Sequence, residues 1–296
     1  MTIPIVFKCP ACQLALTKTA GSYRCDNLHT FDVAREGYVN LLLVQQKRSR
    51  QPGDSDEMIK SRKRFLSQQY YQPLAAALVS CLADSANGFD QRLLDIGCGE
   101  GYYLQQLMAA SVDEPGLFCA AGIDVSKLAV RFAAKQKSGA EMAVASAYAL
   151  PFFSGVFDSL LSVFSPVSSD EAARVLAPGG HLIMVGPGEW HLSGLVSEIY
   201  EKPVAHEGNF QVIDEASEFV LEQQIDVKTD ISVPSSDIAD LLMMTPYYWH
   251  ISAERKEKLL SKTVLETPLH FVIKIYSKRL ICDEVDNDSA EGTLIN

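Results

Sequence analysis

The sequence predicts an α/β protein in which a doubly wound, mostly parallel sheet follows a small N-terminal module stabilised by metal. Two observations lead to this. Three cysteines and a histidine lie among the first 30 residues, and from Gln91 onward apolar runs alternate with amphipathic segments. The chain has 296 residues with 47% hydrophobic content, which is enough for one full core and a small accessory domain.

The cysteines and histidine have the spacing of a closed zinc site. Cys9 and Cys12 form a C-x2-C pair, and Cys25 and His29 form a C-x3-H pair after a twelve-residue spacer. Two tight turns carrying thiolates and an imidazole are typical of structural Zn²⁺. A disulfide is the alternative, although one ligand is a histidine and the remaining cysteines are scattered singly. We expect zinc to supply much of the folding free energy of a module spanning residues 1–45.

Residues 46–89 are predicted to form a basic connector, helical over 58–66 and 73–82. The chain carries a net charge of −11, yet residues 1–64 contain eleven Lys/Arg against six Asp/Glu. Beside a zinc module, this local excess favours an RNA-facing edge over a solvated helix face without a partner. The candidate RNA-binding residues are Lys47, Arg48, Arg50, Lys60, Arg62, Lys63 and Arg64.

Residues 90–280 are predicted to form the α/β core. The candidate buried strands are 92–96, 117–123, 142–145, 156–163 and 181–186. Helices are expected near 191–200, 236–244 and 252–260, and strands near 219–225 and 269–276, with an unassigned segment around 203–209. Residues 281–296 are acidic and polar, and we expect them to be disordered. No apolar run is long enough to cross a bilayer, so a cytoplasmic protein is expected.

A glycine-rich turn follows the first strand of this core. Asp95, Gly97, Gly99 and Gly101 are spaced D-x-G-x-G-x-G. The glycines let the backbone approach a ligand where any Cβ would collide. A dinucleotide loop has the spacing G-x-G-x-x-G, and a carboxylate ahead of the first glycine would repel its pyrophosphate. The carboxylate suits a sulfonium and an ammonium group, and the spacing resembles motif I of S-adenosylmethionine-dependent methyltransferases.

This resemblance implies a Rossmann-like class I methyltransferase core and a set of cofactor contacts. Asp124, after the second strand, matches the acid that accepts the ribose hydroxyls. The segment after the third strand matches the one that lines the adenine. The candidate cofactor-binding residues are Asp95, Gly97, Gly99, Gly101, Tyr102, Asp124, Ser146 and Ala147.

The acceptor site is expected after the fourth strand, at Ser165-Pro166-Val167. This segment lacks the Asn/Asp-Pro-Pro-aromatic motif of amino-directed enzymes and the cysteine of carbon-directed ones, which fits a ring-nitrogen acceptor. Asp158 and His191 are the candidates for a general base, each with a structural role as the alternative. Phe164 and Trp190 are candidates for stacking on a flipped base, with core packing as the alternative.

Two phrases outside the core are similar to one family. The run from Thr30 to Leu42 directly after the tetrad, and Pro52-Gly53-Asp54-Ser55, resemble the bacterial large-subunit (23S) ribosomal RNA guanine-N1 methyltransferases. The resemblance implies methylation of guanine N1 in a hairpin of that RNA, with S-adenosylmethionine and Zn²⁺ as cofactors, by a cytoplasmic homodimer. Two other classes stay open: a small-molecule methyltransferase with a zinc docking domain, and a catalytically silent, zinc-dependent RNA-binding protein.

Overall fold

The computed structural model describes residues 4–46, 53–85, 91–110, 118–201 and 208–279. Three candidate RNA-binding residues, Lys47, Arg48 and Arg50, lie outside these ranges, as does the tail 281–296. Among the described residues, no helix is both long and apolar enough to span a membrane.

The N-terminal module contains a three-stranded antiparallel sheet in the order β1-β2-β3. Its strands are β1 (Thr17–Lys18), β2 (Ser22–Arg24) and β3 (Thr30–Asp32). One turn precedes β1 and another connects β2 to β3, and each contains a left-handed residue, Gln13 with φ 67° and Leu28 with φ 64°. The Cys9 N–H donates to the Leu14 carbonyl at 2.7 Å, and the Leu28 N–H donates to the Cys25 carbonyl at 2.9 Å. These turns bring the predicted ligand pairs toward each other.

The module packs directly on the α/β core. The Phe7 ring lies 5.3 Å from the ring of Phe152, and the Lys8 N–H donates to the Pro151 carbonyl at 2.8 Å. The Tyr23 hydroxyl donates to the Glu141 carboxylate at 2.8 Å. Module and core therefore share one hydrophobic cluster, which limits how much of the module's folding free energy must come from metal alone.

Two helices form the connector, α1 (Asp56–Ser67) and α2 (Gln72–Ser85). Ser55 caps α1 because its Oγ accepts a 3.2 Å bond from the Met58 N–H. Asp56 and Glu57 occupy the first turn, where the helix dipole favours negative charge. Both predicted helices are observed, each slightly longer than its apolar pattern indicated.

Within the described residues, the main sheet has eight strands in the order β10-β11-β9-β8-β5-β6-β7-β4. Strands β4 to β9 are parallel, whereas β11 pairs antiparallel with β9 and β10 pairs antiparallel with β11. The strands are β4 (Tyr38–Asn40), β5 (Gln91–Ile96), β6 (Phe118–Asp124), β7 (Glu141–Val144), β8 (Phe157–Val163), β9 (Leu176–Pro187), β10 (Phe219–Pro234) and β11 (Val264–Lys278). Strand β4 lies inside the range 1–45 predicted for the zinc module, yet its partner in the sheet is β7.

In the part of the chain that the structure describes, seven further helices connect or flank these strands. They are α3 (Tyr102–Ala110), α4 (Lys127–Lys135), α5 (Ser169–Val175), α6 (Ser193–Ile199), α7 (Gln211–Asp214), α8 (Ser235–Met243) and α9 (Ala253–Leu260). Strand β5 lies between β6 and β8, and the chain runs outward through β6 and β7 before returning to β8. The carboxyl ends of β5 and β8 therefore border the crevice at which doubly wound sheets bind ligands.

Candidate functional site

The four predicted metal ligands converge in the N-terminal module. Their ligand atoms, three Sγ atoms and one imidazole nitrogen, all lie within 4.8 Å of one another. Cys12 Sγ is 3.6 Å from Cys25 Sγ, and His29 Nδ1 is 3.6 Å from Cys9 Sγ and 3.5 Å from Cys25 Sγ. A tetrahedral Zn²⁺ with Zn–S bonds of about 2.3 Å separates its ligands by about 3.8 Å. Both donor chemistry and spacing fit zinc.

The glycine loop lies at the carboxyl end of β5 with all three glycines in the left-handed region. Their φ angles are 74° at Gly97, 56° at Gly99 and 86° at Gly101. A Cβ at Gly97 would lie 1.8 Å from Ser165 Oγ, and a Cβ at Gly101 would lie 2.8 Å from the Ala133 Cβ. Gly97 therefore lets the loops after β5 and β8 touch, while Gly101 lets the loop pack on α4.

Asp124 joins the end of β6 to the glycine loop. Its carboxylate accepts hydrogen bonds from the N–H groups of Gly99 at 3.0 Å and Ser126 at 2.7 Å. Burial raises the pKa of Asp124, while the Ser126 and Gly99 N–H groups and the Arg62 guanidinium oppose that rise. The predicted ribose-binding acid thus stands beside the predicted glycine loop.

Asp95 is a buried carboxylate at the same strand ends, with 2% of its surface exposed. Burial raises its pKa to about 8, and the charges of Asp124 and Glu100 add to the rise. Such a group gains a favourable partner when a cation binds nearby, because the cation offsets the cost of a buried negative charge. The carboxylates of this crevice, Asp95, Asp124 and Glu100, therefore fit a cationic ligand.

The connector contributes a contact that sequence patterns did not indicate. Arg62, on α1, donates from Nε to Glu100 of the glycine loop at 2.9 Å and from Nη1 to Asp54 at 2.5 Å. Burial lowers the pKa of Arg62, but the charges of Glu100 and Asp54 raise it above its ordinary value. The sequence does show an acidic residue, Glu100, between two glycines of the loop. No sequence pattern, however, pairs Glu100 with Arg62.

Comparison with known proteins agrees with this geometry. A zinc-ribbon family model described as "RlmA, N-terminal" matches residues 7–50, and one described as "Methyltransferase domain" matches residues 94–184. A 23S rRNA (guanine(748)-N(1))-methyltransferase from Streptomyces fradiae is 31% identical over 264 residues, covering 88% of this chain and 90% of that protein. The chain belongs to the 23S rRNA (guanine-N1)-methyltransferase family. The family prediction is therefore confirmed.

Two further known proteins are similar to this methyltransferase. Bacillus subtilis YxjB, provisionally named a 23S rRNA (guanine-N1)-methyltransferase, is 30% identical over 257 residues, covering 84% of this chain and 89% of that protein. The structure of geranyl diphosphate C-methyltransferase from Streptomyces coelicolor matches at 15% identity and a TM-score of 0.41, over 69% of this chain and 76% of that one. The predicted fold class and the predicted cofactors, S-adenosylmethionine and zinc, are confirmed.

The remaining predicted cofactor residues are Ser146, Ala147 and Tyr102, and they lie at different places in the fold. Ser146 and Ala147 lie just beyond the carboxyl end of β7, at the sheet edge that carries Asp95 and Asp124. The Tyr102 hydroxyl is buried without a hydrogen-bond partner in the described part of the chain, and burial raises its pKa. Burial also raises the pKa of Tyr103. The charge of Glu100 adds to this rise, and the charge of Arg62 opposes it.

Asp158 lies far from the strand ends that hold the cofactor loops. It is the second residue of β8, and its carboxylate accepts bonds from the Arg92 N–H at 2.8 Å and from Arg92 Nε at 3.3 Å. Both residues are at the amino ends of their parallel strands, on the edge opposite the glycine loop. We therefore correct the expectation of a base at Asp158, because its geometry is that of a structural ion pair.

His191 lies near the acceptor side of the crevice but is enclosed by protein. Its Nδ1 accepts a 3.3 Å bond from the His270 N–H, and its Nε2 is 3.5 Å from the Tyr71 hydroxyl. A neutral imidazole that accepts at Nδ1 carries its proton on Nε2, so neither nitrogen presents a lone pair to a substrate. This arrangement favours His191 as part of the wall rather than as a base.

Two aromatic side chains at this wall face outward. Phe164 directly follows β8, is 44% exposed and has a left-handed φ of 54°. Its ring lies 5.7 Å from the His191 ring. Trp190, next to His191, is 56% exposed. A bulky residue in strained backbone at strand ends often marks a functional position.

The described part of the predicted basic edge divides into two groups. Arg62 faces the glycine loop and donates to Glu100, and Arg64 donates from Nε to Asp240 at 2.7 Å, so each guanidinium group is paired with at least one carboxylate of the protein. Lys60 is exposed and lies 3.9 Å from Glu57, while the Lys63 ammonium lies 4.5 Å over the Phe132 ring. Only the two lysines have positions that suit phosphate contacts among these four residues.

Proposed function

We propose that this protein transfers the methyl group of S-adenosylmethionine to N1 of a guanine in a hairpin of large-subunit ribosomal RNA. One observation supports a single site for both the cofactor and the guanine. The glycine loop after β5 touches the loop after β8, since a Cβ at Gly97 would collide with Ser165. Cofactor and acceptor elements therefore meet at the switch point of the sheet.

The guanine would enter beside Phe164 and Trp190. Both rings are exposed, and both follow the carboxyl end of a strand. Enzymes that modify bases extrude the target nucleotide and stack it on such side chains. Ser165 and Pro166 would form the floor between that base and the cofactor loop.

The reaction requires guanine N1 to lose its proton to solvent water while N1 attacks the methyl carbon. The bound cofactor supplies an electrophilic methyl group on a sulfonium, which leaves as a neutral thioether. Asp124 would orient the ribose, and Asp95 would stabilise the cationic methionine end. Phe164 would hold N1 in line with the methyl carbon, and alignment of this kind can supply most of the rate enhancement.

The finer assignments extend this proposal. The zinc module and the connector, with Lys47, Arg48, Arg50, Lys60 and Lys63, would hold the RNA hairpin through phosphate contacts and shape. We also propose that the enzyme acts in the cytoplasm as a homodimer. The strongly negative remainder of the chain would confine RNA to this basic face, because like charges repel the phosphate backbone.

Nucleoside mass spectrometry tests the function directly. Purified protein would be incubated with unmodified large-subunit RNA, or with ribosomal particles, and isotopically labelled S-adenosylmethionine. Labelled 1-methylguanosine is the expected product. Turnover of a small molecule without RNA would favour the docking-domain alternative, and hairpin binding without methylation would favour a silent core. Family membership argues against both.

A further inference from the structure

One guanidinium nitrogen faces the cofactor loop without a partner. Arg62 uses Nε for Glu100 and Nη1 for Asp54, and within the described part of the chain no acceptor is bonded to Nη2. A Cβ at Gly99 would lie 3.5 Å from Nη2, closer than from Nε or the guanidinium carbon. The two carboxylates thus fix the guanidinium so that its third nitrogen points at the middle of the glycine loop.

Four amides of that loop are already bonded within the protein. The N–H groups of Gly97 and Cys98 donate to the Ile123 carbonyl at 2.8 Å and 2.9 Å. The Gly99 N–H donates to Asp124 at 3.0 Å, and the Gly101 N–H donates to the Cys98 carbonyl at 2.9 Å. An anionic group over the loop would have to find its hydrogen-bond donors outside these four amides.

The cofactor carries such an anionic group. Its sulfonium and ammonium suit the carboxylates of Asp95, Glu100 and Asp124, but its α-carboxylate would be repelled by them. A positive side chain is needed where this carboxylate meets the loop. We propose that Arg62 Nη2 binds the α-carboxylate of S-adenosylmethionine, which makes Arg62 a cofactor ligand rather than an RNA contact.

The connector is well placed to present this residue. A Cβ at Gly53 would lie 3.1 Å from Val125 Cγ1, so the loop before α1 packs against the segment that follows Asp124. Asp54 then holds Arg62 from one side and Glu100 from the other. The inference rests on the proposed use of S-adenosylmethionine, but it does not depend on which RNA is methylated.

Calorimetry without RNA separates this role from a structural one. The probes are S-adenosylmethionine and its decarboxylated form, which keeps both cationic groups and lacks only the carboxylate. Wild-type protein should bind the decarboxylated form about tenfold more weakly or worse, the loss typical of a charge-assisted hydrogen bond. Arg62→Gln should lower affinity for S-adenosylmethionine about tenfold and change affinity for the decarboxylated form by less than about twofold.

Control variants keep the test decisive. Arg64→Gln, on the same helix but paired with Asp240, should bind both probes as the wild type does. Arg62→Lys retains a positive charge and serves if Arg62→Gln does not fold, and it should restore part of the discrimination between the two probes.

Equal binding of both probes by wild-type protein overturns the inference without any variant. Equal weakening of both probes in Arg62→Gln also overturns it, because Arg62 would then act only by holding Glu100. Failure of wild-type protein to bind S-adenosylmethionine at all would overturn the proposed function as well.

Discussion

Asp124 accepts a hydrogen bond of 3.0 Å from the N–H of Gly99, so one carboxylate links the ends of the first two strands of the core. The same carboxylate also accepts from Ser126 at the start of α4. The side chain that would orient the cofactor's ribose therefore also shapes the loop beneath the methionine end.

Asp124→Ala should lower the affinity for S-adenosylhomocysteine by about 100-fold, because it removes acceptors for two ribose hydroxyls. Isothermal titration calorimetry measures this directly. Asp158→Ala is the matched control, since that carboxylate pairs with Arg92 on the opposite edge of the sheet. A comparable loss in Asp158→Ala would contradict the assignment.

Cofactor affinity should rise with pH up to about 8 and then level off. Burial, followed by the charges of Asp124 and Glu100, raises the pKa of Asp95 to about 8 in the free protein. Cation binding favours the ionised carboxylate, so below this pH a proton must leave as the cofactor binds. Calorimetry in buffers of different ionisation enthalpy counts that proton. Asp95→Asn should bind weakly and without this pH dependence.

The same residue should affect stability in the opposite sense. The folded-state pKa of Asp95 lies above its ordinary value of 3.8, so the folded chain holds a proton that the unfolded chain releases. The stabilising contribution is present at low pH and is lost as the pH rises from about 4 to about 8. Cofactor-free Asp95→Asn should therefore gain melting temperature over the wild type at pH 8. Unchanged or lower melting temperature there would argue against a buried ionised carboxylate.

Removal of zinc should destabilise the whole protein. Cys9 and Cys25 belong to the same buried cluster as Phe7 and Phe152, so loss of the metal would loosen the face of the core on which the module packs. Chelation, or Cys12→Ala, should remove the bound zinc and lower the melting temperature by at least about 5 °C. Metal analysis with scanning calorimetry checks both effects. A second, separate unfolding transition would show instead that the module unfolds alone.

Phe164→Ala should lower kcat/KM for RNA by about 5- to 100-fold, the range of one base–aromatic stacking contact. Cofactor affinity should stay unchanged, because Phe164 lies on the acceptor side of the crevice. Single-turnover methylation assays and calorimetry report the two quantities. Trp190→Ala should behave in the same way, whereas a folding defect in either variant would favour a packing role.

Replacing Lys47, Arg48 and Arg50 with Glu should weaken RNA binding and reduce the slope of log K against log salt by about three. Filter binding at several salt concentrations measures the slope. Arg64→Glu is the comparison, because its guanidinium is already paired with Asp240. An equal effect from Arg64→Glu would mean that general charge, rather than this segment, attracts the RNA.

Short-range sequence patterns predicted the sheet well where the strands consist mainly of apolar residues. Buried parallel strands appeared as short apolar runs, and the starts of β5, β6, β7 and β8 agree with the structure to within a residue. Strands β10 and β11 are 16 and 15 residues long, much longer than expected. The extent of β10 was hidden because most of this edge strand is exposed, so it shows no apolar run.

The sequence by itself predicted the zinc-type ligand cluster, the glycine loop and the acid at the end of the second strand, because these features depend on short spacings or on strand ends. Only the tertiary structure decided the roles of isolated charges. Arg62 and Asp158 each look like a surface or catalytic group in the sequence, yet their partners Glu100 and Arg92 are 38 and 66 residues away. Electrostatic role depends on distance and burial in space, and a linear pattern contains neither.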